Sequence, residues 1–295
     1  MPFRFKPSDE TVEAGFRRIA CEALDEALDL VRAGSQPPER TVHEVRRTCK
    51  AMRGLLRLVR PAFPAYRTEN SAFRDLAASF SRARDSKVLV QTLDSLLEGQ
   101  KDEPAFAALR ARWIAEGEAA GEESAAQLEA CIEPLLAARV RAQTWMLTAH
   151  GEQALLPGLR KTYRRARHAK RALEASDDTP AAALASHEWR KQVKYHWQHM
   201  RLMRSLVPAM SKARVAKIER LGELLGDRHD TDVLLARLGS DAAHISDPQA
   251  ASHLAALAHK RAAALMRKAE RRGEALFADK PSAFEARWRF GTKLR

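Results

Sequence analysis

The chain has 295 residues, with 51 Lys and Arg against 38 Asp and Glu, a formal charge of +13 and a pI near 10.0, a balance that calls for a polyanionic partner. Its three cysteines, Cys21, Cys49 and Cys131, are odd in number, far apart and without a Cys-x-x-Cys pair, which speaks against a disulfide framework or a zinc ribbon. The opening MPFRFKPSDE has no apolar segment and no stretch nears the roughly 18 apolar residues that span a bilayer, so a cytoplasmic protein without a membrane partner is expected.

Only 13 Gly and 13 Pro punctuate a chain rich in Ala, Leu, Arg and Glu, and no stretch alternates with the β-branched content of a strand, so the fold is expected to be all-α. A first helix is predicted after Ser8-Asp9-Glu10 or from Thr11, burying Val12, Phe16, Ile19, Ala23, Ala27 and Leu30 and stopped by Gly34 and Pro37-Pro38. A second takes Thr41 as N-cap, with Glu44 completing a capping box, and ends near Pro61 and Pro64. A third is predicted from Thr68 or Ser71 to Gly99, and a long fourth from Pro104, after Asp102 and Glu103, which Pro134 must kink or split. Beyond Gly151 come helices from about Gln153 to Ala175, Thr179 to Leu206, Ser211 to Gly239 and Asp247 to Ala278, then a short one in FEARWRFGTK after Pro281.

The stretch HEVRRTCKAMRGLLRLVR, His43 to Arg60, carries the main clue. At about 100° per residue His43, Arg46, Arg47, Lys50, Arg53 and Arg57 fall within roughly 120° of one another, with Val45, Cys49, Met52, Leu56 and Val59 opposite. HEWRKQVKYHWQHMRLMR, His187 to Arg204, echoes it: His187, Arg190, Lys191, Lys194 and Arg201 recur at the same spacing, with Trp189, Val193, Met200 and Met203 on the core side. Cations at i, i+3, i+4 and i+7 rise about 10 Å along one face, a row long enough to touch successive phosphoryl groups.

The repeat is broader than this helix. Gly15-Phe16-Arg17-Arg18 faces Gly158-Leu159-Arg160-Lys161 at a shift of 143, His43 faces His187 at 144, and Asp85, Val88 and Leu89 match Asp230, Val233 and Leu234 at 145. A duplicated unit whose loops absorb single insertions leaves such a drift. The expected architecture is two antiparallel four-helix bundles, residues 8–150 and 151–295, related by an approximate two-fold axis.

These residues resemble the CHAD domain, the conserved histidine α-helical domain. The resemblance rests on His43-Glu44-x-Arg46-Arg47-x-x-Lys50 and His187-Glu188-x-Arg190-Lys191-x-x-Lys194, each followed one helix later by an Arg/His-Asp-x-x-Val-Leu segment, and runs from about Ser8 to the C-terminus. The first copy, Ser81-Arg82-Ala83-Arg84-Asp85-Ser86-Lys87, lacks the Gly and second Asp present in the second as Gly226 and Asp232. The resemblance implies two helical bundles flanking a basic groove or pore that holds inorganic polyphosphate, association with polyphosphate granules, and no cofactor. Many relatives carry a CYTH triphosphatase domain with an alternating Glu-x-Glu-x-Lys strand; none is seen here, so a stand-alone, non-catalytic member is expected. Composition by itself points only to a polyanion.

A further block, GLRKTYRRARHAKRAL, puts Arg160, Arg164, Arg167 and Arg171 on one face, where the first half has Cys21, Leu24 and Leu28 in place of the last three. The anion site is therefore expected to lean toward the second bundle, against the alternative of a solvated arginine face. For His43 and His187 two readings stand side by side: a hydrogen bond to phosphate, or a structural bond to a neighbouring helix. His196 and His199 are expected to be packed, Asp85 and Asp230 to orient arginines, and Gly222 and Gly226 to permit close helix approach. Two rival functions remain open on the residues. The doublet His229-Asp230 fits an HD-type metal-dependent phosphohydrolase, although Arg84-Asp85 at the equivalent place offers no metal ligand. The charge also fits a nucleic-acid module, although only 6% of residues are aromatic and no helix-turn-helix, RNP or finger signature appears.

Overall fold

The computed structural model describes residues 3–80, 83–101, 103–122, 124–176 and 180–291. Ser81, Arg82, Asp102, Thr179, Thr292 and Lys293, and the side chains of Arg84 and Asp85, lie outside the described residues. Among those described the chain is all-helical, as expected: α1 (Val12–Ala33), α2 (Pro38–Val59), α3 (Tyr66–Ala78), α4 (Ala83–Leu97), α5 (Ala107–Glu122), α6 (Ser124–Gln143), α7 (Gly151–Glu174), α8 (Pro180–Met203), α9 (Pro208–Ser240), α10 (Pro248–Leu276) and α11 (Pro281–Ala286). None of these is long and apolar enough to cross a membrane.

Local chemistry sets the ends. Thr11 caps α1 by accepting from the Ala14 N–H at 3.0 Å, and Gly34 ends it in the left-handed region at φ 55°. Val12, Phe16, Ile19, Ala23 and Ala27 are buried, joined by Ala20, Leu24 and Leu28, whereas Leu30 is half-exposed. In α2 the expected Thr41 cap gives way to an earlier start: Pro38 stands at the first helical position, where its missing N–H costs nothing, and Thr41 lies a turn inside, buried. The predicted third helix is two, α3 and α4, parted after Ala78. Pro134 neither splits nor ends α6, which runs through it with the proline on the exposed side; Glu123, between α5 and α6, lies outside the described residues.

Three glycines set how closely helices approach, and they are not Gly222 and Gly226. A Cβ on Gly222 would meet nothing nearer than Val193 at 3.9 Å, and one on Gly226 nothing within 4 Å. A Cβ on Gly158 would stand 1.7 Å from the Leu58 carbonyl oxygen, so α7 lies backbone to backbone on the end of α2. One on Gly54 would stand 2.1 Å from Oε1 of Gln198, where α2 meets α8, and one on Gly273 2.7 Å from the Trp189 ring, where α10 meets α8.

The larger apolar core joins α1, α2, α3 and α6 to α7, α8, α11 and the first part of α9, with Phe16, Met52, Tyr163 and Trp189 fully enclosed. A second core joins α4 and α5, through Leu93, Leu109 and Trp113, to α9 and α10, through Leu234, Leu238 and Leu254. Both cores draw on residues from either side of position 150. Fully burying one such side chain is worth about 1.5–3 kcal/mol, so the shared clusters bind the two halves of the chain into one unit.

Candidate functional site: the α2–α8 cation rows

The helices bearing the doubled motif lie against each other and run in opposite directions. Gly54 meets Gln198; toward the C-terminal end of α2 the Arg57 guanidinium lies over the Tyr195 ring at 4.1 Å; toward its N-terminal half Arg47 is close enough to Arg201 to repel it. As one residue number rises, its partner's falls. Gly54 and Gln198 are themselves 144 positions apart, the shift that separates His43 from His187. Next to them His199, fully buried, bonds through Nε2 to the Gly54 carbonyl at 3.0 Å.

Helix α8 in turn packs on α9, α9 on α4, and α4 back on α2, so the four helices carrying the motifs close a ring. The α8 row faces α9. The His187 and His229 rings stand 5.7 Å apart, and burial, then the nearby Arg190, His187 and Lys194, hold the His229 pKa below the ordinary histidine value against the pull of Asp230. The α2 row leans toward α3, where Arg53 Nε reaches Asn70 Oδ1 at a long 3.4 Å.

Within each row the positions divide alike. Arg46 and Arg190, 144 apart, are half-buried with Nε shut off from solvent, so the stem lies against apolar surface and only the tip of the guanidinium is presented. Lys50 and Lys194, again 144 apart, are exposed. Arg47 pairs with Glu44 and Lys191 with Glu188, each three residues back. Arg57 rests on Tyr195, and Arg201, exposed, lies 4.6 Å over the Trp197 ring; burial lowers the Arg201 pKa, with Arg204 and Arg47 adding repulsion. His43 is half-buried and His187 exposed.

The α7 block is less uniform than its spacing implies. Arg160 pairs with Glu285 at 3.0 Å, and half-buried Arg167 donates through Nε to the Phe277 carbonyl at 3.0 Å, holding the end of α10. Arg164 and Arg171 are exposed. Within the α9 motif Arg228 pairs with Asp232 at 2.7 Å; Asp230, expected to orient an arginine, makes no ion pair among the described residues. No three His, Cys, Asp or Glu side chains converge to hold a metal among those described, so His229-Asp230 lacks companions there.

Sequence reasoning passed over Tyr195, Arg60, Lys161 and Arg165. Lys161 and Arg165 follow Arg160 and Arg164 by one residue, a 100° turn of the wheel; the side of α7 that faces α2 is decided by Gly158 lying on Leu58, a tertiary fact.

The CHAD domain family model matches residues 18–239. Among solved structures, the chain is similar to the crystal structure of the CHAD domain from the plant Ricinus communis, with a TM-score of 0.56 and 20% identity, over 98% of this chain and 96% of that one. No curated protein matches it. With the doubled histidine-led motif on α2 and α8, the ring those helices close and a family match over most of its length, this chain belongs to the CHAD domain family.

Proposed function

We propose that the chain is a non-catalytic, cytoplasmic binder of inorganic polyphosphate, held along the cation rows of α2 and α8 and acting at polyphosphate granules. The observation that carries this is the antiparallel approach of the two rows, with Arg47 brought near Arg201 across the seam at Gly54 and Gln198. Like charges set side by side repel in the empty protein, and a polyanion laid along them removes that cost. Linear polyphosphate suits such a row because it offers closely spaced oxyanions and no bases to read. In this reading the halves 8–150 and 151–295 are copies of one unit, with an approximate two-fold axis between Gly54 and Gln198. The ligand-facing set is His43, Arg46, Lys50, Arg53, Arg57, His187, Arg190, Lys194 and Arg201, with Arg47 and Lys191 at the rim. Arg160 and Arg167 hold α11 and α10.

Competition tests this reading. Long-chain polyphosphate should bind with steep salt dependence and resist displacement by duplex DNA or RNA at equal phosphate concentration, and no phosphate should be released with Mg²⁺ or Mn²⁺ present. Displacement by nucleic acid would move the function to a nucleic-acid module, and metal-dependent turnover would make the chain a phosphohydrolase.

A further inference from the structure

A second group of cations lies beside the rows, at the seam between α2 and α7. Because Gly158 rests on the Leu58 carbonyl, Lys161, one turn along α7, comes beside Arg60, two residues past Leu58. Arg164 and Arg165, three and four residues beyond Lys161, extend the group outward. The Arg60 guanidinium is propped over the Tyr66 ring at 4.6 Å, which fixes it at the seam. The Lys161 ammonium is pushed below the ordinary lysine pKa by burial and then by Arg60, Arg165 and Arg164. None of the four makes an ion pair among the described residues. The carboxylate that senses Arg165 is Glu188 of α8. Burial works against its charge, but Lys191 and the Gln192 side-chain amide, at 2.7 Å, hold it ionised below the usual range. Lys191 therefore sits on the side of α8 nearer this group, while His187, Arg190 and Lys194 face α9.

We infer that Arg60, Lys161, Arg164 and Arg165 form a further phosphoryl-binding station, which takes the polyphosphate chain where it leaves the α2–α8 rows and passes over α7. The inference rests on the polyphosphate reading of those rows and extends it to residues outside them. Four cations from the end of one helix and the face of another, with Glu188 already committed to Lys191 and Gln192, match a linear polyanion.

The test uses the full chain, long-chain polyphosphate and tripolyphosphate. Lys161→Gln with Arg165→Gln should weaken long-chain binding about tenfold at low salt and lower the slope of log affinity against log salt by about 1 to 2, at an unchanged melting temperature. Tripolyphosphate, too short to span both places, should lose less than the long chain. In the unaltered chain Lys161 should be acylated by an amine-selective reagent faster than the exposed lysines, and long-chain polyphosphate should suppress that reaction. Unchanged long-chain affinity with an unprotected Lys161 overturns the station even where Lys50→Gln with Lys194→Gln abolishes binding. Loss at Lys161 and Arg165 with no loss at Lys50 and Lys194 keeps the station and removes the rows from the site. Absence of binding by the unaltered chain overturns both.

Discussion

His199 Nε2 and the Gly54 carbonyl, 3.0 Å apart, tie α8 to α2 where the cation rows cross. A carbonyl only accepts, so Nε2 carries the proton and Nδ1 is an acceptor, 3.2 Å from the Thr162 hydroxyl of α7. The same hydroxyl is 3.3 Å from His196 Nδ1 and 3.0 Å from the Leu159 carbonyl, and its one proton serves one of Leu159, His199 and His196 at a time. Three helices thus meet through two buried neutral imidazoles.

These imidazoles make the fold acid-sensitive. Burial first, then the nearby Arg57, against a pull from the Gly54 bond, pushes the His199 pKa down from 6.5 to about 3; burial, His199 and Arg214 push that of His196 well below its ordinary value. In the unfolded chain both take protons as pH falls through about 6.5. Stability is therefore complete above that pH and is lost between it and about 3 for His199. At pH 5 His199 alone should cost about 2 kcal/mol. Denaturant midpoints from pH 7 to 4 should fall accordingly, and His199→Gln, which keeps a donor toward Gly54, should flatten the curve; an unchanged slope would remove His199 as its source.

The close-approach glycines should respond unequally to alanine. At Gly158 the new methyl meets the backbone oxygen of Leu58, which has nowhere to go, so Gly158→Ala should cost about 3 kcal/mol or prevent folding. At Gly54 it meets the tip of the Gln198 side chain, which can swing away, and the better helix propensity of alanine returns about 1 kcal/mol. Gly54→Ala should then shift stability by about 1 kcal/mol or less, measured by urea unfolding.

Charge reversal in the rows is a clean test of binding only at the exposed lysines. Lys50→Glu with Lys194→Glu should reduce polyphosphate affinity about a hundredfold at low salt, lower the salt slope by about 2 and leave the melting temperature nearly unchanged. Arg46→Glu or Arg190→Glu would place a carboxylate where the guanidinium stem is enclosed, costing about 1–3 kcal/mol of stability as well as affinity. Full affinity in the lysine pair would exclude the rows from the site.

The shared cores predict that the halves depend on each other. Residues 1–150 made alone would leave Leu93, Leu109 and Trp113 without Leu234, Leu238 and Leu254, and Trp113 Nε1 without its 2.8 Å bond to Asp241. Each half alone should lack the cooperative unfolding transition and helical signal of the intact chain, which mixing or co-expression restores. Two separately cooperative halves would contradict this.

What could be read in advance follows the range of the forces. The all-α class, the Gly34 stop, the buried face of α1 and the burial of His196 and His199 rest on periodicity and local turn chemistry, and were legible. The start of α2 was misjudged because Thr41 and Glu44 offer a good capping box, while Pro38 offers a better first turn. Pro134 gave a true local signal, but it falls on the exposed side of a helix held by Leu128, Cys131, Leu135 and Ala138. Gly222 and Gly226 share their spacing with true contact glycines; only the tertiary path of α7 selects Gly158 instead. The cation rows were legible as faces, whereas the division between Lys50, open to solvent, and Arg46, enclosed along its stem, belongs to neighbouring helices.

The opposed run of α2 and α8 bears on what a ligand must look like. Travelled from either end, the seam would meet an enclosed arginine, an exposed lysine and a guanidinium resting on an aromatic ring, Arg57 on Tyr195 or Arg201 on Trp197. A nucleic-acid strand has a 5′ and a 3′ direction, and under the proposed two-fold axis the seam would give it no preferred way to lie. A polymer of identical phosphate units looks the same from both of its ends, so under the proposed function it would lie along the seam equally well in either direction.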